Sequence, residues 1–459
     1  MTLIYKFIEH LRSHNEPFQL KRNGQPPQWS DEALHREVYD YNPQLYALLG
    51  LVSSVQPYQR DRILFQLLQR SRLGLNLEVR SLLTTATNII LSLTHPDRVL
   101  RIFLALRRVR ANHKHTSRAI LQYFNHHPEL TDIAKCRRPA LVDILEHALG
   151  KNTARGCVKN LNGNCLTRFV PNDSALKTVF PQLYSQEFRQ MGEGTYQNSH
   201  LAALANFQKV RERPATVTAT NRGGIAATLV HLYRGGESPD LLFALKEYVR
   251  EAASQLPKFN GKLGLVLDLS ASTRSYGDRE YCCLSQTMAL KFVLEECCTN
   301  LRVHQVGGTE YILPNPSGYT DLATGLLDAL ADNPDAVLIV SDGYENFIPG
   351  DLAKVAATLP QIGIYTPVIF CHSKFTNLDD LELRRPATNL IELSFWHQAD
   401  FSDLIISLLA LVGKAGETDL QTFLSQKLTH MQQELPSWTS KNSSPKSLNP
   451  TVPPHPLPV

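Results

Sequence analysis

Nowhere does the chain hold the ~18–20 uninterrupted apolar residues that a membrane-spanning helix needs, so no such span is expected. Its opening residues, Met1-Thr2-Leu3-Ile4-Tyr5-Lys6, lack the apolar core and small-residue cleavage site of an export signal. Cytoplasmic residence is therefore the expectation. No two of the eight cysteines are spaced C-x-x-C, which leaves a zinc ribbon or a thioredoxin-type redox centre without support. Four of them form vicinal pairs, Cys282-Cys283 and Cys297-Cys298, which periodicity places in one helix. Adjacent helical side chains diverge by about 100°, so these pairs, with Cys136, Cys157, Cys165 and Cys371, read as buried free thiols. None of the 16 histidines has H-E-x-x-H spacing and no nucleophile pairs visibly with one, so an enzyme is not expected. Glycine-rich phosphate loops are missing as well. Gly192-Glu193-Gly194 and Arg222-Gly223-Gly224 do not follow a strand with G-x-G-x-x-G spacing, and Gly150-Lys151 lacks its upstream glycine.

The 459 residues, 43% hydrophobic and 20% charged, exceed one ordinary core and read as two domains plus a tail. The net charge of +4 conceals an asymmetry. Residues 1–260 carry 34 Lys and Arg against 21 Asp and Glu, a net of +13, while 261–459 carry 13 against 22, a net of −9. A sign change at that boundary implies halves with different partners: a polyanion for the first, a cation for the second.

Residues 1–258 show helical periodicity throughout, with helices expected near 2–14, 31–54, 57–73, 75–93, 96–111, 115–126, 139–160, 175–190, 197–213, 221–235 and 238–256. Helices of this length joined by short turns suit an all-α array of antiparallel pairs in the manner of HEAT-like repeats. Within it, residues 60–160 hold 18 Lys and Arg against 7 Asp and Glu, a local net of +11. Along 96–111, Val99, Ile102, Phe103, Leu106 and Val109 share one arc, and Arg98, Arg101, Arg107 and Arg108 lie outside it. Arg110, Lys114 and Arg118 extend the basic run into the next helix. A solvated cationic face of this kind can take phosphates through counterion release and bidentate guanidinium contacts. A soluble helix surface has the same appearance.

Residues 259–413 alternate strands and helices, with strands expected near 263–269, 301–306, 309–313, 335–341, 363–371 and 389–394. Helices are expected near 279–298, 321–331, 351–359, 377–383 and 399–412. Such alternation demands an α/β doubly wound, mainly parallel sheet, with 309–313 as its one antiparallel edge. A further helix is expected within 414–435, and the Pro-rich segment 436–459 reads as a disordered tail.

Three segments of this second half carry the chemistry. Gly264-Leu265-Val266-Leu267-Asp268-Leu269-Ser270-Ala271-Ser272 is a buried strand ending in an aspartate and two serines at alternate positions. Gly318-Tyr319-Thr320-Asp321 places a hydroxyl before an amphipathic helix, and Ala336-Val337-Leu338-Ile339-Val340-Ser341-Asp342-Gly343 is a second buried strand ending in an aspartate. Side chains at the carboxyl edge of a parallel sheet face the ligand crevice, and an all-oxygen donor set suits a hard divalent cation. In this composition and order the segments resemble the von Willebrand factor A (vWA) domain with its metal-ion-dependent adhesion site. That resemblance implies that Asp268, Ser270, Ser272, Thr320 and Asp342 hold Mg²⁺, or another divalent cation such as Mn²⁺, leaving one position for an acidic group of a protein partner. Asp321 is either an outer member of the site or the cap of its helix.

A helical array running through the turn Pro257 to Gly261 into such a domain also resembles the Ro-type (TROVE) ribonucleoproteins, to which Val340-Ser341-Asp342-Gly343-Tyr344-Glu345-Asn346-Phe347 is similar. This second resemblance implies a small structured RNA as ligand, held by the basic helical face. An alternative without RNA is a metal-dependent protein-interaction adaptor, such as a partner of a MoxR-type AAA+ ATPase or a component of a conflict system.

Overall fold

The structure, a computed structural model, describes residues 1–20, 24–127, 138–151, 222–235, 239–275, 279–309, 311–374 and 384–434. The expected helices at 175–190, 197–213 and 377–383, the latter part of 139–160, the tail, and Cys136, Cys157 and Cys165 lie outside these residues.

Ten helices precede the first strand among the described residues: α1 (Leu3–Ser13), α2 (Glu32–Tyr41), α3 (Pro43–Leu49), α4 (Pro57–Gln69), α5 (Leu77–Leu93), α6 (Pro96–Arg108), α7 (Lys114–His126), α8 (Arg138–Leu149), α9 (Gly224–Tyr233) and α10 (Pro239–Ser254). Then follow β1 (Phe259–Asp268), α11 (Cys282–Cys297), β2 (Cys298–Val306), α12 (Leu322–Ala331), β3 (Ala336–Ser341), α13 (Asp351–Thr358), β4 (Val368–Ser373), β5 (Ile391–Phe395), α14 (Phe401–Leu411) and α15 (Lys414–Glu434). No described helix is long and apolar enough to cross a membrane.

The expected helix 31–54 is two helices. Asn42 precedes Pro43, whose ring clashes with a helical predecessor. Asn42 is accordingly extended (φ −151°) and caps α3 by accepting from Leu45 N–H at 3.0 Å.

All five strands are parallel, in the order β2-β1-β3-β4-β5. This is the open α/β arrangement read from the alternation, and it is consistent with a vWA domain. The antiparallel edge expected at 309–313 is not a strand: Thr309 has no regular structure, 311–313 form bends, and Tyr311 N–H turns back on Thr309 O at 2.9 Å. Gly307 and Gly308 both have positive φ and redirect the chain as β2 ends. Cys298 is likewise not helical; it opens β2 directly after α11. The fourth strand begins at Val368, because a 3-10 turn (Leu359–Ile362) and Gly363 at φ +81° occupy the residues before it.

β3 is buried along its whole length, as a central parallel strand covered on both faces must be. On one face Val266, Val337, Ile339, Val368 and Phe370 meet Leu322, Leu326 and Ala329 of α12 and Leu352 of α13. α12 sits close enough that a Cβ at Gly325 would lie 2.7 Å from Val306 Cγ2 and 2.8 Å from Val266 Cγ1. That proximity fixes the start of α12, and with it Thr320, against the end of β1.

The described residues divide into two compact units, neither continuous in sequence. The first takes in the described residues of 1–19, 28–63 and 222–426; the second takes in those of 20–27, 64–151 and 427–434. In the first, α1 packs on α14, where Arg12 donates to Ser407 Oγ (2.6 Å), Asp403 O (3.0 Å) and Ser54 Oγ (3.2 Å). In the second, α6 and α7 both pack on α8, and α5 packs on α7. HEAT-like regularity remains an expectation, since these contacts describe a helix cluster without defining a repeat.

Candidate metal centre

β1 and β3 are neighbours, and the chain winds from β1 outward to β2 before returning to β3 on the other side. Their carboxyl ends therefore flank the topological switch point, where open α/β sheets form a crevice. Leu267 pairs with Val340, so Asp268 emerges level with Ser341 and one residue short of Asp342. Asp268, Ser270, Thr320, Ser341 and Asp342 are all fully buried, and Ser272 is half-buried.

Hydrogen bonds tie these side chains together. Asp268 Oδ1 accepts from Ser270 N–H at 3.0 Å, and Oδ2 accepts from Ser341 Oγ–H at 2.6 Å. Thr320 Oγ1 donates to Ser270 Oγ at 2.7 Å, and the hydroxyls of Ser270 and Ser272 are 3.0 Å apart. Asp342 Oδ1 accepts from Tyr344 N–H at 3.1 Å, but its buried Oδ2 has no hydrogen-bond partner. Thus three segments far apart in sequence bring two carboxylates and three hydroxyls to one place.

The loops are shaped to allow this. A Cβ at Gly307, whose φ is +69°, would lie 2.6 Å from Ser317 O and 3.0 Å from Ser270 Cα. Only glycine lets the end of β2 pass so near the serine loop. Leu269 and Ala271 complete the clasp: Leu269 N–H bonds Val306 O (2.8 Å), and Ala271 N–H bonds Gly318 O (3.3 Å).

Electrostatics leave the site short of positive charge. Burial, and then the neighbouring charge of Asp342, push Asp268 up to about 7. Burial also raises Asp342, against the Tyr344 N–H bond, the nearby Ser272 hydroxyl and the charge of Arg384. Arg384 spends one N–H on the backbone oxygen of Asp342, at 3.2 Å. Two buried carboxylates side by side disfavour each other's ionised form unless a cation compensates. The unpartnered Asp342 Oδ2 and the all-oxygen donor set both fit a hard divalent ion.

Two members went unread in the sequence. Ser341 holds Asp268 Oδ2 and also accepts from Gly343 N–H at 3.0 Å; its only sequence signal is its place before Asp342. Asn346 Nδ2 donates to Thr320 Oγ1 at 3.4 Å. Asp321, by contrast, accepts from Thr324 N–H (3.1 Å) and Thr324 Oγ1–H (2.8 Å), which makes it the cap of α12.

The basic face lies on α6 and α7. Val99, Ile102, Phe103 and Leu106 are buried as their spacing requires, while Arg101, Arg107, Arg110, Lys114 and Arg118 are exposed and Arg98 and Arg108 are half-buried. Arg107 pairs with Asp143 at 3.2 Å, and Arg108 reaches Gln25 O at 3.5 Å. Arg110 adopts φ +56° where α6 ends, and Ala111 N–H closes the helix on Leu106 O at 3.0 Å.

A second cluster, His10, Asp31 and His35, offers three metal-ligand atoms within 4.8 Å of one another. A cation is already in place there: buried Arg62 pairs with Asp31 Oδ2, which also accepts from Gln59 Nε2 at 2.9 Å and meets His10 Nε2 at 2.6 Å. Gln59 Oε1 in turn faces His35 Nε2 at 2.8 Å, and Tyr46 Oη faces His35 Nδ1 at 2.8 Å. Burial holds His35 down to about 4, so it is neutral. Against the cost of burial, bonds from Gln59 and His10 with the charge of Arg62 keep Asp31 low. The arrangement is an internal ion pair with its hydrogen-bond shell.

No protein-family model matches the chain, and no curated protein matches it. Among solved structures it is similar to the crystal structure of the Deinococcus radiodurans Ro (RSR) protein, at 11% identity, over 93% of this chain and 100% of that one, with a TM-score of 0.35. A superposition that loose settles neither fold nor function.

Proposed function

We propose that the α/β part is a divalent-cation-dependent binding domain. Asp268, Ser270, Ser272, Thr320 and Asp342 would hold Mg²⁺ or Mn²⁺, directly or through water, and leave a position open to an acidic group of a partner. The observation that carries this reading is the buried Asp342 Oδ2, without a partner beside a second buried carboxylate. The bound ion would supply electrophilic attraction for an incoming oxygen. The chain's own part is to fix the donors, through Ser341 on Asp268 and Asn346 on Thr320. The role is binding rather than catalysis. Calorimetric titration of the full chain with MnCl₂ tests it: one saturable site, lost in D268A and D342A variants that remain folded, is expected. Unchanged binding in those variants would refute it.

We further propose that the cationic face of α6 and α7 binds small structured RNA. Its support is the exposure of Arg101, Arg107, Arg110, Lys114 and Arg118 on a helix pair whose other face is buried. Filter binding across a salt series is the test. If the chain instead captures a protein that chelation releases, and no RNA, the adaptor reading holds.

A further inference from the structure

The loops that carry the site's Thr320 and Asp342 also carry an uncharged rim. Tyr319, Tyr344, Phe347 and Ile348 are 72%, 45%, 54% and 48% exposed. They are anchored at the donors themselves. Tyr319 precedes Thr320, and Phe347 N–H bonds Thr320 O at 3.4 Å. The rings of Tyr319 and Phe347 stand 6.2 Å apart at 45°, one on each loop. Large exposed apolar side chains grouped around a polar centre mark an interaction site, and rigid aromatic rings are the usual anchors of such sites.

The charges nearby discriminate between partners. Segments 315–321 and 342–350 contain no lysine or arginine. Their acidic residues outside the donor set are engaged: Asp321 caps α12, and Glu345 accepts from the N–H groups of Gly350 and Leu352. Arg384 is buried, and Arg274, on the serine loop, pairs with Glu280 at 2.9 Å. A nucleic-acid strand gains most of its affinity from lysine and arginine on its phosphates, and these two loops offer none. A carboxylate flanked by aromatic or aliphatic residues would satisfy both parts at once, its oxygen on the cation and its neighbours on the rings.

We propose that the site selects an acidic side chain of a protein segment whose adjacent residues are aromatic or aliphatic, with Tyr319 and Phe347 as the specificity-determining residues. This rests on the metal-site reading and adds to it the identity of the partner's surroundings. The test uses the full chain and fluorescent pentapeptides with a central Asp or Glu, flanked in turn by Gly, Leu, Phe, Lys or Glu. Anisotropy is read in MgCl₂ and again in EDTA, with a single-stranded RNA oligomer as the comparison. Leu- or Phe-flanked acids should bind at least about 10-fold more tightly than Gly-flanked ones, and only with Mg²⁺. In Y319S and F347S the preference should disappear while MnCl₂ titration stays as in the wild type. Equal binding whatever the flanks, binding of no acidic peptide by a chain that takes up Mn²⁺, or Mg²⁺-dependent RNA binding lost in Y319S and F347S would each overturn it. A chain that takes up no Mn²⁺ removes the underlying metal reading instead.

Discussion

Ser341 Oγ donates to Asp268 Oδ2 across 2.6 Å, joining the carboxyl ends of β3 and β1 at the switch point of the sheet. The same hydroxyl accepts from Gly343 N–H, so one serine orients a donor on each strand end. S341A leaves a buried carboxylate oxygen and a backbone N–H without partners. A loss of about 1–3 kcal/mol in urea denaturation is expected, together with weaker Mn²⁺ uptake by calorimetry. Unaltered Mn²⁺ affinity would show that Asp268 needs no such positioning.

The pairing of Asp268 with Asp342 gives opposite effects with and without cation. In EDTA, D342N removes a buried charge that repels Asp268, and the melting temperature should rise by about 2–4 °C, the shift expected of roughly 1 kcal/mol. In MgCl₂ the wild type should gain stability by linkage and D342N should not. A D342N protein that melts lower in EDTA would contradict the repulsion.

Reversal of Arg101, Arg107 and Arg108 to glutamate should lower affinity for structured RNA at least about 10-fold and flatten the dependence on salt, as lost phosphate contacts do. Circular dichroism should be unchanged, because Arg101 and Arg107 are exposed and Arg108 is half-buried. Retained affinity would make the face an ordinary solvated surface.

His35 makes the fold sensitive to acid. Its folded value is held down to about 4 from an ordinary 6.5 by burial. Between those values the unfolded chain binds the proton and the folded one does not. The stability this contributes is thus whole above about pH 6.5 and declines as pH falls towards 4, by up to about 3 kcal/mol. Asp31 is already below the ordinary carboxylate range, so its loss falls beneath that window. H35Q should show a shallower fall in denaturation free energy from pH 6.5 to 4.5 than the wild type. Identical slopes would mean that His35 is charged in the fold.

Arg12 bonds Ser407, Asp403 and Ser54, which makes α1 part of the same compact unit as the sheet. R12A should cost about 1–3 kcal/mol, and removal of 1–13 should expose the buried face of α14 and increase binding of a hydrophobic dye. A truncated chain with wild-type stability would contradict that.

Much of this could be read along the chain. The parallel α/β alternation follows from uninterrupted apolar strands such as 336–340, which admit no solvent-facing side. The burial of Val99, Ile102, Phe103 and Leu106 against the exposure of Arg101 and Arg107 follows from a helical period of 3.6. The strand ends carrying Asp268 and Asp342 could be placed at one edge of the sheet, while the full set with Ser270, Ser272 and Thr320 comes from the resemblance to the vWA domain. The strand runs and the helical period are local properties, carried by residues within a few positions of one another.

What the tertiary structure alone decided is nonlocal. That Ser341 rather than Asp321 supports the site depends on which strand lies beside β1, and hydrogen bonding across 73 positions leaves no period in the sequence. Residues 309–313 have the composition of an edge strand, yet Gly307 and Gly308 turn the chain towards Ser317 instead. The joining of α1 to α14 rests on Arg12 meeting groups 391 and 395 residues away. Local sequence sets the form of each element through sterics and period. Which elements share a core is set by the burial and hydrogen bonds they gain only once assembled.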